Sequence, residues 1–220
     1  MDVRARLLQE SIFEDEVFED LDLDQVDLGD KDFVRCVFRN VRAPESRWVD
    51  STLDDCVFDR CNLDRMQTKK LGLRGVQFIG CRLTGVDWTE IAPNPSVAFD
   101  ECNLQYAAFA DANFTRAAFR RCKMVSAMFI NARLAEADFG GSDLAEARFE
   151  GCDLRQAGFA EAQGVWFDPA TNKVKDARVS VATAMLIATS LGLRVAGFGP
   201  AEDAAPLERP SPDRRAKRKR

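Results

Sequence analysis

Seven cysteines, at positions 36, 56, 61, 81, 102, 122 and 152, are the residues of this 220-residue chain best suited to covalent or metal chemistry. Three pairs, Cys36 with Cys56, Cys61 with Cys81 and Cys102 with Cys122, are twenty residues apart. Zinc sites are built on short Cys or His spacings, and the chain has no histidine, so no metal or other cofactor is expected. The same lack removes the commonest general base. Carboxylates come in neighbouring pairs, such as Glu14 with Asp15 and Glu19 with Asp20. Acid–base work needs burial or a nearby charge to shift such groups, and these read as a solvated face. No glycine-rich phosphate loop, dinucleotide fingerprint or nucleophile elbow occurs. The residues describe a binding protein with no catalytic centre and no small-molecule substrate.

The elements that carry these residues follow from a period of five. A large apolar residue recurs at Phe13, Phe18, Leu23, Leu28, Phe33 and Phe38 and continues to Trp88, interrupted only at Ala43 and Thr68. The beat resumes one residue out of step at Phe99 and runs to Phe159 without a miss. Two residues before each lies a second column, nearly all small in the later half from Val97 to Ala157, and all seven cysteines fall in it. Five matches neither the helical period of 3.6 nor the strand period of 2, so the chain must turn at regular intervals. In this column cysteine is a small buried hydrophobe. A disulfide between stacked cysteines is geometrically conceivable, but a reduced thiol is expected in the cytoplasm.

The segments ADFGG at 137–141, SDLAE at 142–146 and CDLRQ at 152–156 resemble the A(D/N)LXX motif of the pentapeptide-repeat family, over about residues 11–163. The resemblance implies an all-β fold: a right-handed quadrilateral parallel β-helix with four pentapeptides per turn, the large and small columns both pointing inward. Residues twenty apart then stack, so Thr68 lies between Trp48 and Trp88, and Ala43 between Leu23 and Leu63. The central residues make a little over seven turns, roughly 35 Å of rod at the spacing of paired strands.

Three regions follow: the β-helix at 1–163, a capping or dimerisation segment with an α-helix at 164–199, and a basic tail at 200–220 that reads as disordered. The register breaks at 89–98, TEIAPNPSVA, whose prolines and asparagine mark a turn or bulge. It is either a simple slip or a projecting contact loop, as in family members that act on topoisomerases. Val181, Ala184, Met185, Ala188 and Leu191 have helical spacing, with Gly192 placed to end the helix. That stripe caps its own coil or pairs with a second copy, and the resemblance implies a homodimer.

Net charge is −5, while Arg214 to Arg220 carry six positive charges, leaving −5 − 6 = −11 on the rest. Residues 1–35 hold twelve Asp or Glu against four Lys or Arg, a surface suited to basic grooves. Single-domain members of the Qnr, MfpA and McbG type are similar in size. That likeness implies a DNA mimic that binds DNA gyrase or topoisomerase IV and protects it from a poison, for antibiotic resistance or self-immunity. The contacts expected are Glu14, Asp15, Glu19, Asp20, Asp22, Asp24, Asp27 and Asp30, with Thr89, Glu90, Ile91, Pro93, Asn94 and Pro95 of the break. A basic patch of Arg116, Arg120, Arg121 and Lys123 departs from a uniform mimic and favours the alternative, a protein-binding scaffold with no topoisomerase role. Weak nucleic-acid binding through the basic tail is a third reading. No export signal follows Met1 and no apolar run approaches the roughly 20 residues of a membrane span, so a cytoplasmic location is expected.

Overall fold

A computed structural model describes residues 3–196. The chain winds as a four-sided parallel β-helix, each turn pairing in register with the next. On the face that begins at Phe18 the pairing is unbroken: Val17, Val37, Val57, Gln77, Ala98, Ala118, Asp138, Gly158 and Arg178 follow one another as parallel partners. These eight steps of ~4.8 Å give a rod about 38 Å long. The coil therefore runs past residue 163, the boundary expected from the repeat, because Phe159 pairs with Val179 and Asp153 with Lys173. Phe167 and the partly buried Val174 continue the core where the five-residue beat has faded.

The central residues form columns along the axis. Phe18, Phe38, Phe58, Phe78, Phe99, Phe119, Phe139 and Phe159 make one continuous stack, with neighbouring ring centroids 4.5 to 5.2 Å apart. Rings on adjacent faces meet edge-on, as Phe33 does with Phe38 at 5.4 Å, an arrangement the ring quadrupole favours. The corner residue after each face adopts positive φ at most positions, among them Asp15, Asp20, Arg35, Asn40 and Tyr106. That conformation costs on the order of 1 kcal/mol for a non-glycine residue, and the ladder bonds it permits on both sides outweigh it.

The cysteines do more than fill space. Each thiol lies 3.2 to 3.5 Å from a phenylalanine carbonyl of the turn beneath: Phe13, Phe33, Phe38, Phe58, Phe78, Phe99 and Phe129. The oxygen-bearing residues of the same column show the full device. Ser142 Oγ accepts the Cys122 N–H at 2.8 Å and donates to the Phe119 carbonyl at 2.7 Å. Ser51 does this for Lys31 and Leu28, and Asn172 for Cys152 and Phe149. Cys81 likewise sits 3.4 Å from the Cys61 N–H. A polar atom in the small column thus bridges the open corner of the turn below, where main-chain groups would be buried without partners. All seven cysteines are free. Because one extra residue is absorbed at the break, Cys81 also stacks beneath Cys102, so the thiols of Cys61, Cys81, Cys102 and Cys122 form one ladder rather than two separate pairs. Hydrogen bonding to the thiol above, followed by burial, pushes Cys81 and Cys102 up to about 12, so both remain protonated at neutral pH.

Both ends are covered. Helix α1 (Val3–Gln9) closes the first turn with Leu7 fully buried, while Arg6 pairs with Glu10 at 2.9 Å and Glu16 at 2.8 Å. Helix α2 (Val181–Ser190) closes the other end. Ser180 caps it by accepting the Thr183 N–H, and Gly192, at φ 77°, ends it. The Gly192 and Leu193 N–H groups return to Thr189 and Ala188, the paired bonds of a Schellman motif.

Candidate protein interface

The first turn, residues 11–30, carries Glu14, Asp15, Glu16, Glu19, Asp20, Asp22, Asp24, Asp27 and Asp30 and no cation. Eight of the nine lie outside the two inward columns, while Glu16, two residues before Phe18, is half-buried in the small column and paired with Arg6; nor are the others a bare stripe. Twenty residues on, the second turn supplies arginines directly above. Arg35 engages Glu14 and lies 2.7 Å from Asp15. Arg39 reaches Glu19 at 3.3 Å, and Arg47 reaches Asp27 at 2.8 Å. Arg42 spans Asp22 at 2.9 Å and Asp24 at 3.0 Å. Asp20 takes a hydrogen bond from Asn40 at 3.2 Å. Among the described residues Asp30 has no ion pair. Arg35 holds Asp15 below the usual carboxylate range. The Asp24 and Gly29 main-chain N–H groups do the same for Asp22 and Asp27, with Arg42 and Arg47 adding to it.

The basic patch in the middle of the rod follows the same rule. Arg120 pairs with Asp138 at 2.7 Å in the turn above, and Arg121 with Glu101 at 3.2 Å and with Asp100 in the turn below. The fifth turn, 91–111, has Asp100, Glu101 and Asp111 and no cation. The sixth, 112–131, has Arg116, Arg120, Arg121 and Lys123 and no carboxylate. Charge is layered along the axis, and adjacent layers neutralise one another. The twenty-residue offsets of Asp15 with Arg35, Asp22 with Arg42 and Asp27 with Arg47 were legible in the sequence, but counting charge over long windows conceals them.

The break is a low bulge rather than a projecting loop. Main-chain bonds tie it to the turn beneath: Lys70 N–H to Glu90, Ala92 N–H to Leu71, Ser96 N–H to Leu73 and Val76 N–H to Ser96. Ile91 packs against the core. The Thr89 N–H bonds Asp87, Glu90 meets Lys69 at 3.1 Å, and Asn94 accepts from Asn113 at 2.9 Å. Pro93 and Asn94 are exposed. Above the bulge the ladder is interrupted: the sheet on the Phe13 face runs to Gly72–Arg74 and pairing there resumes only between Asn113 and Arg133, while the neighbouring sheet continues without a gap. A groove of 580 Å³ opens beside it, floored by Pro95 to Ala98 and walled by Gly75 and Arg116. The sequence pattern carried no signal for this groove.

At the far end, α2 turns Thr183 and Ile187 toward the coil. Val181, Ala184 and Leu191, expected within a buried stripe, are exposed, with Met185 and Ala188 half-buried. A groove of 300 Å³ lined by Phe167, Val174, Ile187 and Leu191 runs between helix and coil, and Leu186 and Leu193 add apolar surface beside it. No helix among the described residues is long and apolar enough to cross a membrane, and no cluster of His, Cys, Asp or Glu among them is placed to hold a metal.

The sequence model of the family described as pentapeptide repeat region matches residues 51–129, 71–149 and 95–165, which together cover more than half of the chain. The chain belongs to the pentapeptide-repeat family. This pentapeptide-repeat protein has no match among curated proteins. Among solved structures it is similar to a trypsin-treated variant of QnrB1, a plasmid-mediated fluoroquinolone resistance protein: 20% identity, 84% of this chain and 90% of that one, TM-score 0.49. It is also similar to HetL, a pentapeptide-repeat protein involved in heterocyst differentiation regulation from the cyanobacterium Nostoc sp. strain PCC 7120: 15% identity, 76% and 86% coverage, TM-score 0.23.

Proposed function

We propose that this pentapeptide-repeat protein is a non-enzymatic binding rod whose target is a type II topoisomerase, DNA gyrase or topoisomerase IV, occupied at its DNA-binding saddle and thereby protected from a poison. The observation that supports this reading is the first turn: nine carboxylates at one end of the rod, with no cation of its own. Duplex DNA presents a negative charge about every 1.7 Å. Only this end of the rod approaches that density once the pairing between turns is counted, so contact is end-weighted rather than spread along the side. The apolar surface of α2 and its groove supports a homodimer that would leave both acidic ends outermost. A supercoiling assay with purified gyrase, and relaxation by topoisomerase IV, with and without a poison, tests it. Restored activity in the poisoned reaction, lost on changing Asp20, Asp22, Asp24 and Asp30 to Asn, is expected. No effect on either enzyme at tens of micromolar overturns the topoisomerase reading.

The layered neutralisation of the middle turns favours one other reading, a scaffold for a different protein. In that case the supercoiling assay is silent and binding maps to the 580 Å³ groove beside the bulge. Nucleic-acid binding through Arg214 to Arg220 concerns a segment outside the described residues.

A further inference from the structure

We infer that the acidic first turn is a docking surface for the basic run Arg214 to Arg220 of the same chain, which thereby competes with any basic partner. The argument is one of charge and reach, whichever protein the acidic end recognises. Against the nine carboxylates of residues 11–30 the structure sets five arginines: Arg6, Arg35, Arg39, Arg42 and Arg47. Counting ion pairs alone, the balance is −9 + 5 = −4, with Arg6 also shared with Glu10 and Arg39 with Asp59, while Arg4 and Lys31 act from further off on Asp22 and Asp27. Elsewhere the layers cancel, as the sixth turn does between the fifth and seventh. The first turn is the largest uncompensated charge on the rod, and Asp20 and Asp30 touch no cation in it. Six positive charges in seven residues are more than enough to cover that deficit.

The geometry allows the contact within one molecule. The last described residue, Ala196, lies beyond α2 at the opposite end, about 38 Å of paired turns from Val17. Seventeen residues separate Ala196 from Arg214, and the connection spans up to ~60 Å when extended. A tethered run faces an effective concentration in the millimolar range when its reach matches the span. The exposed apolar residues Leu8, Ile12 and Val17, set among the carboxylates, give the same surface room for the aliphatic stems of Lys and Arg.

Carbodiimide coupling of the full chain at low salt tests the inference directly. The reagent joins a lysine amine to a carboxylate as an amide, the carboxyl oxygen leaving in the urea by-product. Lys217 and Lys219 should couple chiefly to carboxylates between Glu14 and Asp30, in a product of single-chain mass, and about 1 M NaCl should suppress the reaction as the Debye length falls to ~3 Å. Coupling chiefly to later turns, such as Asp138 or Glu161, overturns the inference. So does coupling only between copies in an isotope-mixed sample, or coupling no greater than that of Lys69. A second measurement reads competition: deleting 214–220 should tighten binding of a fluorescent decalysine peptide about fivefold at low salt, and unchanged affinity overturns it. Neither readout involves a topoisomerase, so failure here leaves the proposed function standing.

Discussion

A hydroxyl or thiol in the small inward column carries a duty that the repeat motif does not announce. Ser142 is the sharpest case, because its Oγ is the partner of both the Cys122 N–H and the Phe119 carbonyl. Ser142→Ala should cost about 1–3 kcal/mol, the penalty of a buried donor left unpaired. Ser142→Cys should cost less, since Cys81 makes the same bridge over Cys61. Thermal denaturation of both variants checks the difference. Ser46 is a second position, donating to the Ala43 carbonyl and accepting from Trp48 Nε1. Trp88, whose corresponding neighbour is Val86, has a buried Nε1 with no partner. The cysteines were legible as inward and small, and their hydrogen bonding was not, because it depends on which corners lack an internal bond. The carboxylates make a pH statement. Asp15 is held down by Arg35, so its contribution is complete above the unfolded value of 3.8 and is lost as pH falls through the lower folded value. A Tm measured from pH 5 to 2 at low salt should drop, with a shallower fall in Arg35→Gln. The effect is small because the pair is exposed.

The two helices differ in how far they could be foreseen. α2 was legible because a run of apolar residues at helical spacing and Gly192 supply a body and a stop; its Ser180 cap emerges only in the structure. Which of its faces meets the coil was not. The stripe from Val181 to Leu191 is apolar by spacing, yet the coil end takes Thr183 and Ile187. The body of the helix is apolar nearly all round, so spacing alone could not choose a side. Ser180→Ala should cost about 1 kcal/mol of helix stability, seen as faster amide exchange from Thr183 to Ile187 with the Phe18 face unaffected. Helix α1 left almost no mark, seven residues with a single buried leucine. Its anchoring comes from Arg6 meeting Glu10 and Glu16, contacts invisible until the coil exists. The bulge was located correctly from its prolines, but whether it stands out or lies flat turned on Ile91 and on main-chain bonds that sequence does not display.

Taken whole, the molecule is a stack in which almost every backbone bond points along the rod. Its columns, period and layered charges follow from counting in twenties, and the break in that count, 89–98, is also where the ladder of the Phe13 face lapses. Gly75 and Asn113 make no main-chain bond through their N–H groups, whereas their counterparts Gly80 and Asn103 bond Asp100 and Cys81. Hydrogen exchange should therefore be fastest on the Phe13 face at Gly75 and Asn113 and slowest along the Phe18 face, whose pairing never lapses. Equal protection of the two faces would contradict this. The lapse has a mechanical meaning. A rod held along one side by an unbroken seam and gapped on the adjoining side does not bend equally in all directions. It has a compliant side and a stiff one, and under load it folds toward or away from its missing ladder as a hinge does about its pin.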